Sequence, residues 1–296
     1  MSSIFSLGTL EATFRMATPL ILAALGGCFS EKAGVTNIAL EGIMAFGALA
    51  AVIGSYVTGS AWLGFLIAAL IGGLFAYIHA MLSVDMKADQ VISGTALNML
   101  AAGGTIYVCR VLFGSMESDT VKRLPIWGAY EPTVYIAFFM VLLSWLILYK
   151  TPFGLRLRTV GEHPAAADTV GVDVYKMRYV AVIISGILAG LAGAHMSIGV
   201  SDAFSKGMIA GRGFIALAAM IAGGWHPIGA CIAALLFGFF QKLSLTLNGV
   251  AFLGVAIPSQ FMNVLPYIIT IVVLAVAGTN SVGPRANGIP YEKGER

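Results

Sequence analysis

Apolar runs long enough to cross a lipid bilayer recur along almost the whole chain, and nothing else constrains its folding as much. They cover Leu10–Phe29, Ile38–Val57, Trp62–Leu82, Val91–Phe113, Pro132–Tyr149, Tyr179–Val200, Ile228–Leu247 and Gln260–Ala277. A spanning helix needs about 20 apolar residues. In lipid every backbone N–H and C=O must be satisfied within the protein, so each run is expected to be helical. Composition agrees: 58% of the 296 residues are hydrophobic and only 10% are charged, against about 25% charged in soluble domains. The expected fold is an all-α polytopic membrane protein with about 8–10 transmembrane helices. It reads as one transmembrane domain over 1–296: a first half 1–150, a charged loop 151–178, a second half 179–278 and a polar tail 279–296.

Several positions interrupt this pattern. Pro19 and the pair Gly26-Gly27 break or close the first run, and Ser30–Asn37 (SEKAGVTN) is a polar gap. Gly213–Gly224 is apolar but much shorter than a crossing, which marks a broken or re-entrant helix. The polar tail reads as flexible. Lys and Arg near span ends set orientation. With 151–178 in the cytoplasm, Lys32, Lys87, Lys150, Arg156, Arg158, Lys176, Arg178, Arg285, Lys293 and Arg296 fall inside. Arg15, Arg110, Lys122, Arg123, Lys206, Arg212 and Lys242 fall outside. The N-terminus is then outside and the C-terminus inside, with about nine crossings if the short segment counts as one.

A weak internal repeat supports two related halves. Gly64–Leu70 (GFLIAAL) resembles Gly229–Leu235 (GACIAAL), and Asn37–Leu40 (NIAL) resembles Phe214–Leu217 (FIAL). In this orientation the matched stretches run in opposite directions. Such an inverted repeat is a transporter device, with solute held between the repeats near the midplane.

Catalytic chemistry is not visible. There is no G-x-x-x-x-G-K-[ST] phosphate cradle, no G-x-S-x-G and no H-E-x-x-H. His79, His163, His195 and His226 lack ligand spacing, as do Cys28, Cys109 and Cys231, so no metal site and no cofactor are expected in this chain. A net charge of +3 gives no reason to expect nucleic acid. Polar side chains inside spans are costly and usually face an interior or a cavity. Asn37, Glu41 and Asn98 are therefore candidate hydrogen-bond partners for a neutral polar solute, with Arg212 at an outer vestibule. Structural roles compete with these. Glu41 could cap a broken helix end or pair with Lys32, Asn98 could bond a neighbouring helix, and Arg212 could fix topology or meet lipid headgroups.

The charged loop has helix signals of its own. Pro164 suits a first helical turn, Glu162 just before it would favour the positive helix end, and Gly171 would end the helix. Ala165, Ala166 and Ala167 allow another protein to approach closely. Composition alone favours an ordinary positive-inside loop, whose Arg and Lys only fix topology.

Two motifs carry a resemblance to a known family. Gly161–Arg178 (GEHPAAADTVGVDVYKMR) resembles the cytoplasmic loop of permease subunits of ATP-binding-cassette importers of the branched-chain amino acid and ribose type. Gly161, Glu162, Pro164, Ala166, Ala167, Gly171 and Val174 match that pattern, while His163 replaces the usual Asn, Val172 Ile and Arg178 Lys. Gly27–Met44 (GCFSEKAGVTNIALEGIM) and Gln90–Leu100 are similar to nucleoside or simple-sugar permeases, with Lys32 for Arg and Ile43 for Met. The resemblance implies a multi-pass protein of the bacterial plasma (inner) membrane. It implies separate ATPase subunits carrying ATP and Mg, a second and different permease chain, and an external binding lipoprotein of the basic-membrane-protein type. Gly161, Glu162, His163, Pro164, Ala165, Ala166, Ala167 and Gly171 would then couple the ATPase to transport. The implied solute is a nucleoside, with a simple sugar as the alternative. A stand-alone ion-coupled transporter with Glu41 as proton carrier is the reading from another class.

Overall fold

The computed structural model describes residues 7–247, 251–252, 255–256, 264, 268–273, 275 and 282–293. The expected span Gln260–Ala277 and the glycine- and proline-marked link before it lie largely outside the described residues. Among the described residues ten α-helices are bounded, in order: α1 Leu7–Lys32, α2 Leu40–Thr58, α3 Ala61–Ala80, α4 Gln90–Phe113, α5 Pro132–Lys150, α6 Pro152–Glu162, α7 Pro164–Thr169, α8 Val174–Ala194, α9 Arg212–Ala222 and α10 Pro227–Leu247. Helices α3 and α8 each continue into a π-helical turn, Met81–Asp85 and His195–Val200. A two-residue antiparallel pairing, Ala251–Phe252 with Val255–Ala256, follows α10. Among the described residues seven helices are long and apolar enough to cross a membrane, and α9 is the short apolar one.

Local chemistry explains the helix ends. Pro132, Pro152 and Pro164 occupy first turns, where a missing N–H costs nothing. Asp89 accepts hydrogen bonds from the N–H groups of Val91 and Ile92, and Asp173 from that of Lys176, capping α4 and α8. Gly59 and Gly114 close α2 and α4 in the left-handed region. Pro19 does not break the first helix. α1 runs through it and through Gly26-Gly27 to Lys32, so the polar gap is shorter than its composition suggests. Neighbouring helices buttress α1 along most of its length, and this allows a helix to carry a proline in a membrane.

Contacts between ends fix the direction of each helix. The last residue of α1 meets the charged loop: a Cβ on Gly161 would overlap the carbonyl of Lys32. Thr36, before α2, bonds the ring of His79 and the side chain of Gln90 at the same side. At the other side Ser55 donates to the carbonyl of Lys122, and Leu124 N–H to that of Ile198. α1, α3 and α5 thus run toward the loop, while α2, α4, α8 and α10 run away from it. The segment after α8 turns back inward, and α9 runs toward the loop side.

This arrangement gives the sequence repeat a spatial form. α1 and α8 pack on each other at the centre; α8 packs further on α3 and α2, and α1 on α10 and α9. The triplets α1–α2–α3 and α8–α9–α10 therefore exchange partners, each member antiparallel to its counterpart. Glycines allow the central backbones to touch. A Cβ on Gly47 would lie 2.6 Å from the Cα of Gly190, and one on Gly190 or Gly72 would strike the facing backbone.

Candidate functional site

The site is built around the short helix α9. Its N-cap is Gly211, held at φ 78° with no capping side chain of its own. The cap comes from another helix. Gly211 N–H donates to Glu41 Oε1 at 2.8 Å, and Gly213 N–H to Glu41 Oε2 at 2.7 Å. A helix start leaves N–H groups without intrahelical partners and carries partial positive charge, so a carboxylate satisfies both needs. Gly213 is required by proximity, since a Cβ there would lie 2.5 Å from the Cα of Glu41. Glu41 thus takes the capping role rather than pairing with Lys32.

Next to this cap lies a cavity of about 190 Å³ between α2, α4 and the segment entering α9. Glu41, Asn98, Thr105, Phe204, Lys206 and Met208 contribute to its walls, which are largely apolar. Asn98 bridges the open first turn of α2: Gly42 N–H donates to its Oδ1 at 2.7 Å, and its Nδ2 donates to the Ile38 carbonyl at 2.9 Å. The amide stands where one helical hydrogen bond would otherwise close. Arg212 is not on the wall; its Nη1 donates to the carbonyls of Met208 and Ile209, both at 3.1 Å, and knits the segment that is. Asn37 lies elsewhere, fully buried, donating to Ser185 Oγ at 2.9 Å. The structure thus brings Glu41 and Asn98 together, places Arg212 behind them and separates Asn37.

At the loop side, α6 and α7 form a platform. His163 caps α7, its Nδ1 accepting from Ala166 N–H at 3.2 Å. The cap is therefore His163, while Glu162 is the last residue of α6. Gly171 follows α7 at φ 82°, with its N–H on the Asp168 carbonyl. Ala166 and Val170 face outward, the latter 75% exposed. Ala167 is fully buried within the chain itself and offers no surface to another protein. Behind the platform, burial and the nearby Lys32 ammonium hold the His226 imidazole below its usual range.

Residues 282–293 correct the expectation of a flexible tail. They form a strap across this face. Ala286 N–H donates to the Gly161 carbonyl at 2.9 Å, and Arg178 Nη1 to that of Ile289 at 3.0 Å. Asn287 bonds both Thr36 Oγ1 and Glu31 Oε2, each at 3.1 Å. Ion pairs Lys87–Glu292 at 2.6 Å and Lys293–Asp168 at 3.4 Å flank it. Sequence reasoning missed Glu31, which accepts from Trp225 Nε1 at 2.5 Å. The signal was present, since Glu31 is one of two carboxylates in the Gly27–Met44 motif.

Residues 9–274 match the family model described as branched-chain amino acid transport system / permease component. The chain belongs to this permease family. It is 44% identical to the guanosine ABC transporter permease protein NupQ of Bacillus subtilis, over 96% of each chain. Identity to the nucleoside ABC transporter permease protein NupC of Lactococcus lactis is 39%, over 94% of each. A chain named for glucose transport, TsgC13 of Haloferax volcanii, is 41% identical over 94% of each.

As a permease of this family with seven membrane-length apolar helices among the described residues, the chain is a multi-pass protein of the bacterial plasma (inner) membrane. The described residues hold no cluster of three or more His, Cys, Asp or Glu placed to bind a metal.

Proposed function

We propose that this permease forms the membrane path of an ATP-driven importer for nucleosides and works by alternating access. The observation that carries the solute class is the 44% identity, over 96% of both chains, to a guanosine permease. A loaded external lipoprotein docks on the side opposite the platform. Separate ATPase subunits, which carry ATP and Mg, bind at α6–α7, and a second permease chain completes the path. This chain hydrolyses nothing itself and contributes geometry. Glu162, His163, Ala166, Val170 and Gly171 present the outward surface of the platform, with Leu155 60% exposed beside them. The cavity lined by Glu41 and Asn98 lies along the path. Its apolar walls suit a channel that need not bind tightly, because the lipoprotein supplies selectivity.

A simple sugar is the second reading, favoured by 41% identity to a chain named for glucose. The ion-coupled alternative loses its carrier, since both oxygens of Glu41 are engaged by backbone donors of α9. Vesicles holding the chain with its ATPase, partner permease and lipoprotein test the reading. ATP-dependent uptake of labelled guanosine is expected. The double substitution Glu162→Arg with Val170→Asp should abolish it while assembly persists. Glucose uptake without guanosine uptake moves the assignment to sugars, and ion-driven uptake by this chain alone overturns it.

A further inference from the structure

The Gly27–Met44 motif contains two carboxylates, Glu31 and Glu41, at the end of α1 and the start of α2. They hold opposite ends of the same 11-residue helix. Glu41 caps the N-terminus of α9 through Gly211 and Gly213. Glu31, only 4% exposed, receives the indole N–H of Trp225 in the turn after α9. Trp225 is itself buried and held at φ 53°, a conformation that a bulky residue adopts only when its surroundings impose it. Its backbone N–H donates to the Met220 carbonyl, so the residue and the last turn of α9 move together. The ring also meets the strap, where a Cβ on Gly283 would lie 3.0 Å from it.

The clamp joins the platform at one end and the cavity at the other. Gly161 of the platform rests on the carbonyl of Lys32, the residue after Glu31. The segment held by the Glu41 cap supplies Phe204, Lys206 and Met208 to the cavity wall. An ordinary membrane helix would be anchored by the length of its apolar flank. α9 is too short for that, and hydrogen bonds at its two ends fix where it sits.

We propose that Glu31 and Trp225 are positioning residues that pass movement of the platform through α9 to the cavity wall. This rests on the importer reading above. Displacing α6 displaces the end of α1, and the Glu31–Trp225 bond carries α9 along as a lever. The lever tilts the segment capped by Glu41 and so changes the width of the cavity. The Glu31–Trp225 bond and the two-bond Glu41 cap form one mechanical series, so loss of either end disconnects it.

The experiment uses the assembled importer in vesicles and measures guanosine taken up per ATP hydrolysed. Trp225→Phe keeps the ring and removes the N–H. Per assembled complex, ATP hydrolysis and the guanosine KM should stay near native while uptake per ATP falls about five-fold or more, a usual size for coupling between sites. Glu41→Gln should lower the same ratio, and the double variant should be no worse than the poorer single one, as expected for contacts in one series. Trp225→His, which retains a ring N–H, should restore the ratio and serves if the phenylalanine variant does not assemble. Parallel loss of uptake and hydrolysis in Trp225→Phe, or strictly multiplicative losses in the double variant, overturns the lever. Absence of guanosine uptake by the native complex would instead strike the solute assignment, and the ratio is then read with glucose.

Discussion

The glycine seam of α2, α3 and α8 and the short helix α9 are positioned in opposite ways. In the seam, Gly47, Gly72, Gly186 and Gly190 bring backbone onto backbone, and shape alone decides the fit. Helix α9 is placed by a carboxylate at each end. Dispersion contacts in a close-packed seam are many and undirected, so the seam resists displacement as a unit. Hydrogen bonds at helix ends are few and directional, and they can tilt without opening a void. The seam therefore suits the fixed part of a transporter, and α9 the part that shifts.

The comparison breaks most visibly in the seam. Gly190→Leu puts a side chain into the backbones of Ala68 and Gly72. It should destabilise by about 3 kcal/mol or more, seen as loss of monodisperse protein on mild heating in detergent. At α9 the effect is smaller and depends on chemistry rather than volume. Glu41→Ala leaves the N–H groups of Gly211 and Gly213 without their acceptor and should cost about 1–3 kcal/mol. Glu41→Gln keeps an acceptor and should cost visibly less in the same thermal assay; equal losses would show that packing, not capping, holds α9. Smallest is Lys293→Ala, which removes an exposed ion pair to Asp168 and should change stability by about 0–1 kcal/mol. A larger loss would move the strap into the rigid class.

The spans were legible in the sequence because lipid imposes both length and helicity. The short apolar segment declared itself by its length, and the capping role of Glu41 stood among its alternatives. What stayed hidden were partners chosen across long separations. Asn37 resembled a solute ligand, but it bonds Ser185 on α8. Pro19 looked like a break because its cost is local, whereas its compensation comes from neighbouring helices. The strap was misread for a similar reason. Polar composition predicts solvent, but between its two flanking ion pairs the strap is held by its backbone N–H and C=O groups and a single asparagine, which composition does not distinguish. Ala167 looked like a contact surface because alanine is small, and the same smallness lets it sit against the chain's own interior.

The strap also has a consequence for the order in which the protein is made. Thr36 and its partner Asn287 are separated by 251 positions. A ribosome adding about 5–20 residues per second needs tens of seconds to cover that distance. Thr36 waits through that whole interval for Asn287, and Gly161 through its second half for Ala286. The platform face therefore closes late, after the membrane spans that precede it have been inserted. A nascent chain can be distinguished from a finished one by that face, and partner subunits that recognise the closed face will assemble only on completed copies.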